Sequence, residues 1–248
     1  MKKVALAVAV ILGFVVVQPV QASNNKSLVI IDSYFQSTIA QNPITSVGTP
    51  CPQSKPITGA SPTSPYNHGT AMYNAAKLQN PELKVISICA AASATAEVTP
   101  DNFIAALTWV NNNPNGIGAV SVSRFMNHAT KTCMPPKLIK DTPESADKQI
   151  KQLISSLLSK GIPVFASTGN KSENKVDYPA CITSTVSVGI GSLDSSGTLK
   201  RLYSYDSNTD YFASSPVINY STSFATAAVA SQYIKLGVLP SKVVTVLP

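Results

Sequence analysis

Charge is scarce in this chain. Of its 248 residues only 12% are Asp, Glu, Lys or Arg, while 44% are apolar. That balance suits a packed core and excludes a disordered polyelectrolyte. Dense runs of Lys and Arg are missing too. The formal charge of +7 is spread thinly along the sequence, so nucleic-acid binding has no electrostatic footprint. No CxxC pair occurs, which leaves a zinc site without its usual ligand spacing. Neither a metal nor an organic cofactor is expected. Internal repeats and linkers are absent, and histidine is limited to His68 and His128. After residue 22, no segment is long and apolar enough to cross a membrane.

The one long apolar run opens the chain as MKKVALAVAVILGFVVVQPVQA. Lys2 and Lys3 form a basic end, Val4 to Val17 an apolar stretch, and Val20 and Ala22 a small-residue cleavage pattern. This reads as an export signal cut between Ala22 and Ser23. Its removal takes away two lysines and no acids, so the charge becomes +7 − 2 = +5. Residues 23–248 then read as one exported domain, secreted or periplasmic, with no membrane attachment. In an oxidising compartment Cys51, Cys89, Cys133 and Cys181 are candidates for two disulfides, and three pairings are open.

Apolar runs and helical patterns alternate along the rest. Leu28–Asp32 (LVIID) fits a strand buried on both faces. A Pro-, Ser- and Thr-rich loop follows from about Asn42 to Asn67. HGTAMYNAAKLQ reads as a helix, LKVISICAA as a strand, and TPDNFIAALTWVNNN as a helix with Thr99 as N-cap and Pro100 first. GIGAVSVSRF is the next strand. A longer helix is predicted from Thr142, with Ile150, Leu153, Ile154, Leu157 and Leu158 on one face, ended by Gly161-Ile162-Pro163. PVFAST and STVSVGIG are further strands, LDSSGTLK a turn, and NYSTSFATAAVAS the start of a last helix. Such alternation predicts a parallel sheet with helices on both faces. In these sheets the site lies outside the carboxyl ends of the strands.

Four polar residues stand at such ends. Asp32 closes the first strand, His68 enters a helix, Asn170 follows the ASTG turn, and Ser223 begins the last helix. Each has a bland reading as a loop cap, a turn or an N-cap, the last through Ser221 or Thr222. Together they supply what nucleophilic catalysis needs. Serine is a weak nucleophile until a base takes its proton. Histidine suits that task near neutral pH. A buried Asp fixes its tautomer, and an amide donates to a developing oxyanion.

The stretches VIIDS around Asp32, NHGTAM around His68, VFASTGN around Asn170, YPACITSTVSVGI at 178–190 and STSFATAAVAS around Ser223 resemble the subtilisin-like serine protease family, in its order of Asp, His and Ser. The resemblance implies a three-layer α/β fold with a mostly parallel central sheet and helices on both faces. It implies peptide-bond hydrolysis through an acyl-enzyme, with Asp32, His68 and Ser223 as triad and Asn170 and the Ser223 N–H as oxyanion hole. Substrate backbone would pair along Ser123, Arg124 and Phe125, facing a wall of Ser167, Thr168 and Gly169. Asp177 matches the floor of the first specificity pocket, which implies a preference for Lys or Arg before the scissile bond. The same topology puts Cys133 and Cys181 after adjacent strands, so the expected pairs are Cys133–Cys181 and Cys51–Cys89. A monomer acting on a peptide or protein substrate is expected.

The chain departs from the family pattern at several positions. Phe125 stands where Gly is usual, Ser221 replaces the Gly of the nucleophile motif, and Ala227 replaces a Pro. The usual Ala-Pro-Gly segment before the nucleophile is missing, and Ser23–Ile31 leaves no room for a folding prodomain. The family's calcium sites have no matching acidic cluster. Two other readings stay open: a catalytically impaired relative that binds peptides or a partner, and an unrelated exported ligand-binding domain.

Overall fold

The computed structural model describes residues 25–33, 35, 44–45, 68–90, 98, 100–123, 144–171, 174–193, 195–207, 209–214, 221–239 and 241–247. The export signal, Cys51, Thr99, Arg124, Phe125, His128 and Cys133 lie outside them.

Strand β1 (Ser27–Asp32) lies in the interior of the sheet. It pairs in parallel with β3 (Lys84–Cys89) on one side and β4 (Ile117–Val122) on the other. Leu28 to Asp32 are all buried, which is why the sequence reads as an unbroken apolar run there. Beyond β4 the sheet continues through β5 (Val164–Ser167), β6 (Thr185–Leu193), β8 (Tyr211–Ser214) and β9 (Val243–Thr245). Beyond β3 lies the two-residue β2 (Ile44–Thr45). All of these pairings are parallel; β7 (Leu199–Leu202) alone runs antiparallel, as a hairpin on β6.

Alternation along β1 feeds two cores. Leu28 and Ile30 pack with Met72, Ala76 and Ala228, while Val29 and Ile31 pack with Phe103, Leu107 and Ile154. Helices α1 (His68–Gln79) and α4 (Thr222–Leu236) therefore cover one face, and α2 (Pro100–Asn112) and α3 (Glu144–Ser159) the other. The expected three-layer α/β architecture with a mostly parallel sheet is what forms.

Helix α4 is the most enclosed of these. Ala225, Ala227, Ala228 and Ala230 are essentially fully buried, and Ser231 donates to Ala76 O of α1 at 2.7 Å. Small side chains let α4 pack tightly against α1, and a helix apolar all round belongs inside. Gly237 ends it in the left-handed region at φ 76°, its N–H returning to Tyr233 O at 2.8 Å.

Several expectations are corrected. Helix α3 is described over Glu144–Ser159, and the expected start at Thr142 lies outside the described residues. Ile150, Ile154 and Leu157 are buried, but Leu158 is 46% exposed. It sits at the edge of the apolar stripe and one residue from the helix end. LDSSGTLK is not only a turn: β6 runs into it and β7 begins within it. Strands β2, β8 and β9 carried no sequence signal, because two to four residues cannot establish a period.

Ile30→Ala, at a fully buried position of the central strand, is expected to lower unfolding free energy by about 2–5 kcal/mol. Val238→Ala, at a largely exposed position, is expected to change it by less than about 0.5 kcal/mol. Urea unfolding followed by circular dichroism measures both.

Candidate active site

Asp32 occupies the carboxyl end of β1 with no solvent exposure. A carboxylate there needs donors. Ser33 supplies its N–H to Oδ1 at 2.6 Å and its hydroxyl at 3.1 Å. His68, the first residue of α1, brings Nδ1 to 2.8 Å from Oδ1 and 3.0 Å from Oδ2. The carboxylate only accepts, so Nδ1 carries the proton and Nε2 of the neutral ring is the free base. Asp32 thus has the partner that its place in the sequence demanded.

Ser223 lies in the first turn of α4 and is nearly buried. Its hydroxyl donates to Ser123 O at 3.2 Å, and the Ser123 hydroxyl donates to Ser223 O at the same distance. Ser167, at the end of β5, donates to Ser123 O at 3.3 Å. The Ser223 N–H is one of the helix's orphan donors, with no acceptor among the described residues.

The cap of α4 comes from elsewhere than expected. Ser221 holds the N-cap position with extended backbone (φ −83°, ψ 158°) but makes no side-chain cap bond. Asn170 makes the cap from the loop three residues after β5. Its Oδ1 accepts the Thr222 N–H at 2.9 Å and the Thr222 hydroxyl at 3.0 Å. Thr222 Oγ1 in turn accepts the Gly169 N–H at 3.2 Å. With Oδ1 engaged on the helix, the Asn170 amide N–H groups are left for the cavity that Asn170 lines.

That cavity has a volume of about 310 Å³. His68, Ser123, Ser167, Gly169, Asn170, Asp177 and Ser223 all line it. Thr168 does not. Its side chain is fully buried and its Oγ1 faces Gly189. Strand alternation continues past Ser167 and turns Thr168 to the other face. Thr168 contributes through its backbone instead, accepting the Asp177 N–H at 2.9 Å.

Gly169 is required twice over. Its φ is +99°, and a Cβ there would lie 2.0 Å from Asp177 Oδ2. The carboxylate of Asp177 is therefore packed onto the backbone just before Asn170. Sequence reasoning missed Lys171, Tyr178, Pro179 and Phe224, which also line the cavity. The run from Asn170 into Lys171 was the available signal for the first. Tyr178 precedes a cis Pro179 and is buried. Burial, then the carboxylate of Asp147, push its phenol far above the ordinary range.

Cys89 and Cys181 are both disulfide-bonded. Their expected partners, Cys51 and Cys133, lie outside the described residues, so the pairing is not seen. Among the described residues no group of three or more His, Cys, Asp or Glu could hold a metal ion.

No family model matches this chain, and no curated protein does. Solved structures do. The PatG macrocyclase in complex with peptide aligns at TM-score 0.56 and 14% identity, over 85% of this chain and 75% of that one. The prenylagaramide maturation protease PagA gives 0.54 and 16%, over 85% and 75%. The epidermin leader peptide processing serine protease EpiP from Staphylococcus aureus gives 0.56 and 14%, over 86% and 64%. The fold is subtilisin-like. At these identities the likeness is one of fold, and the chemistry rests on the geometry above.

The double role of Asn170 makes stability and donation separable. Asn170→Ala, which loses the cap, is expected to cost about 1 kcal/mol in unfolding free energy. Asn170→Asp keeps the acceptor and adds negative charge at a helix N-terminus, so it is expected to stay within about 0.5 kcal/mol of wild type. Denaturant titration of the three proteins is the check.

Proposed function

We propose that this protein is an exported serine endopeptidase that cleaves peptide bonds through an acyl-enzyme on Ser223. The observation that carries the proposal is the contact of His68 with the buried Asp32 at 2.8 Å, His68 lining the same cavity as Ser223 and Asn170. His68 Nε2 takes the Ser223 proton as Oγ attacks the carbonyl carbon, and returns it to the leaving amine. Asp32 holds the imidazole in the required tautomer and balances its transient charge. The Asn170 amide and the Ser223 N–H receive the oxyanion, with the helix N-terminus favouring negative charge there. Water then repeats the sequence on the acyl-enzyme.

Asp177 on the same cavity supports a preference for Lys or Arg before the scissile bond. Extended substrate would run along Ser123 and the Arg124-Phe125 segment, opposite Ser167 and Gly169. Export, with cleavage after Ala22, goes with disulfide-bonded Cys89 and Cys181. Among the described residues no helix is long and apolar enough to cross a membrane. The pairs Cys133–Cys181 and Cys51–Cys89 remain our assignment. The substrate is a peptide or protein, met by a monomer without a cofactor.

One observation favours a second reading. The Ser223 hydroxyl is hydrogen-bonded to Ser123 O, not to His68. Attack requires it to leave that acceptor. A protein in which it never did so would bind peptides without cleaving them. Resting sites are often looser than working ones, so catalysis is the reading we adopt.

Purified mature protein is expected to react covalently with a fluorophosphonate at Ser223. Ser223→Ala and His68→Ala are expected not to. Folded wild type that fails to label favours the binding reading, and a labelled Ser223→Ala removes the nucleophile assignment. Asn170→Ala and Asn170→Asp are both expected to lower kcat about 10²–10³-fold despite their different stabilities. Peptide substrates with Lys or Arg before the scissile bond are expected to outpace aromatic ones, and Asp177→Asn to erase the difference. Equal rates in wild type would remove the basic preference.

A further inference from the structure

Tyr178 is a wall of the cavity, yet its hydroxyl points out of it. The ring is 1% exposed, and the O–H donates to Asp147 Oδ1 at 3.0 Å. Asp147 sits on α3, on the opposite face of the sheet from α1 and α4. Its other oxygen, Oδ2, accepts from Lys151 Nζ at 2.6 Å, one helical turn along. Asp147 does not line the cavity. It bonds to none of Asp32, His68 and Ser223.

The segment that carries Tyr178 links β5 to β6 and is irregular. Upstream it is held by the Asp177 N–H on Thr168 O at 2.9 Å. Downstream the Thr185 hydroxyl donates to Ile182 O at 2.6 Å and to Pro179 O at 3.1 Å. Between these anchors Tyr178 reaches across to α3. Remove the acceptor and the buried phenol O–H loses this bond across to α3, and the ring is no longer tied to that helix. That shift moves the wall.

We propose that Asp147 is a positioning residue for substrate selection, holding the Tyr178 ring as a wall of the pocket that receives the residue before the scissile bond. The assignment rests on the protease reading. It adds to that reading a specificity element on a helix that carries none of the catalytic groups.

The test combines two measurements on the full mature protein. Peptide substrates differing only in the residue before the scissile bond give kcat and KM, and a small fluorophosphonate gives the labelling rate at Ser223. Asp147→Ala is expected to raise KM about tenfold with kcat nearly unchanged. Its labelling rate is expected to match wild type, because the small probe does not need the pocket wall. Asp147→Asn, whose amide oxygen still accepts the phenol proton, is expected to restore KM. Tyr178→Phe should shift KM in the same direction as Asp147→Ala, and the double variant should be no worse than Asp147→Ala alone.

An active wild type whose Asp147→Ala variant keeps its KM overturns this assignment alone. So does a labelling rate that falls in step with rising KM, since that marks general loosening. If Asp147→Ala does not fold, Tyr178→Phe decides in its place: unchanged KM there overturns the assignment. A folded wild type inert to every substrate and to the probe overturns the protease reading and this assignment together.

Discussion

A carboxylate without solvent exposure at the end of the central strand constrains everything around it. Asp32 is stable there only because Ser33 and His68 give it three donors. One of those donors is the first residue of α1. The Asp32–His68 hydrogen bond therefore fixes where α1 starts, and α1 in turn is the surface on which α4 packs. The layer that covers one face of the sheet is thus registered against the same atoms that hold the histidine.

Helix α4 brings a second dependence. Its N-terminus is capped from outside, by Asn170 in the loop after β5, while Thr222 bridges Asn170 and Gly169. A single side-chain oxygen thereby ties a strand end to a helix start. The amide that remains is oriented by the bond its neighbour makes. Ser221, in the position where glycine is usual in the resembling family, adopts ordinary extended backbone at φ −83°. A serine meets no conformational penalty there. Ala227, in the usual place of proline, is an interior helical residue that is fully buried.

Much of this was legible in the sequence, and for identifiable reasons. Strands β1, β4 and β5 are covered on both faces, so their sequences are mostly apolar runs. Pro100 and the Gly161-Ile162-Pro163 stop act within a few residues. Asp32, His68, Asn170 and Ser223 all fall at element ends, where a parallel sheet gathers them. What was hidden is non-local or very short. The cap on Thr222 comes from a residue 52 positions away, and no window of sequence contains both. The bond from Tyr178 to Asp147 spans 31 positions. Thr168 was a misreading of a signal that was present, since period two sends it away from Ser167. Leu158 failed because the helical stripe says nothing about where the packed surface stops.

The strand end beside Ser223 has one further property. A carbonyl oxygen offers two lone pairs. Ser123 O already accepts two hydroxyl protons, from Ser223 at 3.2 Å and from Ser167 at 3.3 Å. It is saturated. Any third donor arriving at that oxygen, such as a backbone N–H laid alongside β4, must evict one of the two hydroxyls. Occupancy of the strand end and freedom of the Ser223 proton are therefore coupled by valence, without any movement of the backbone.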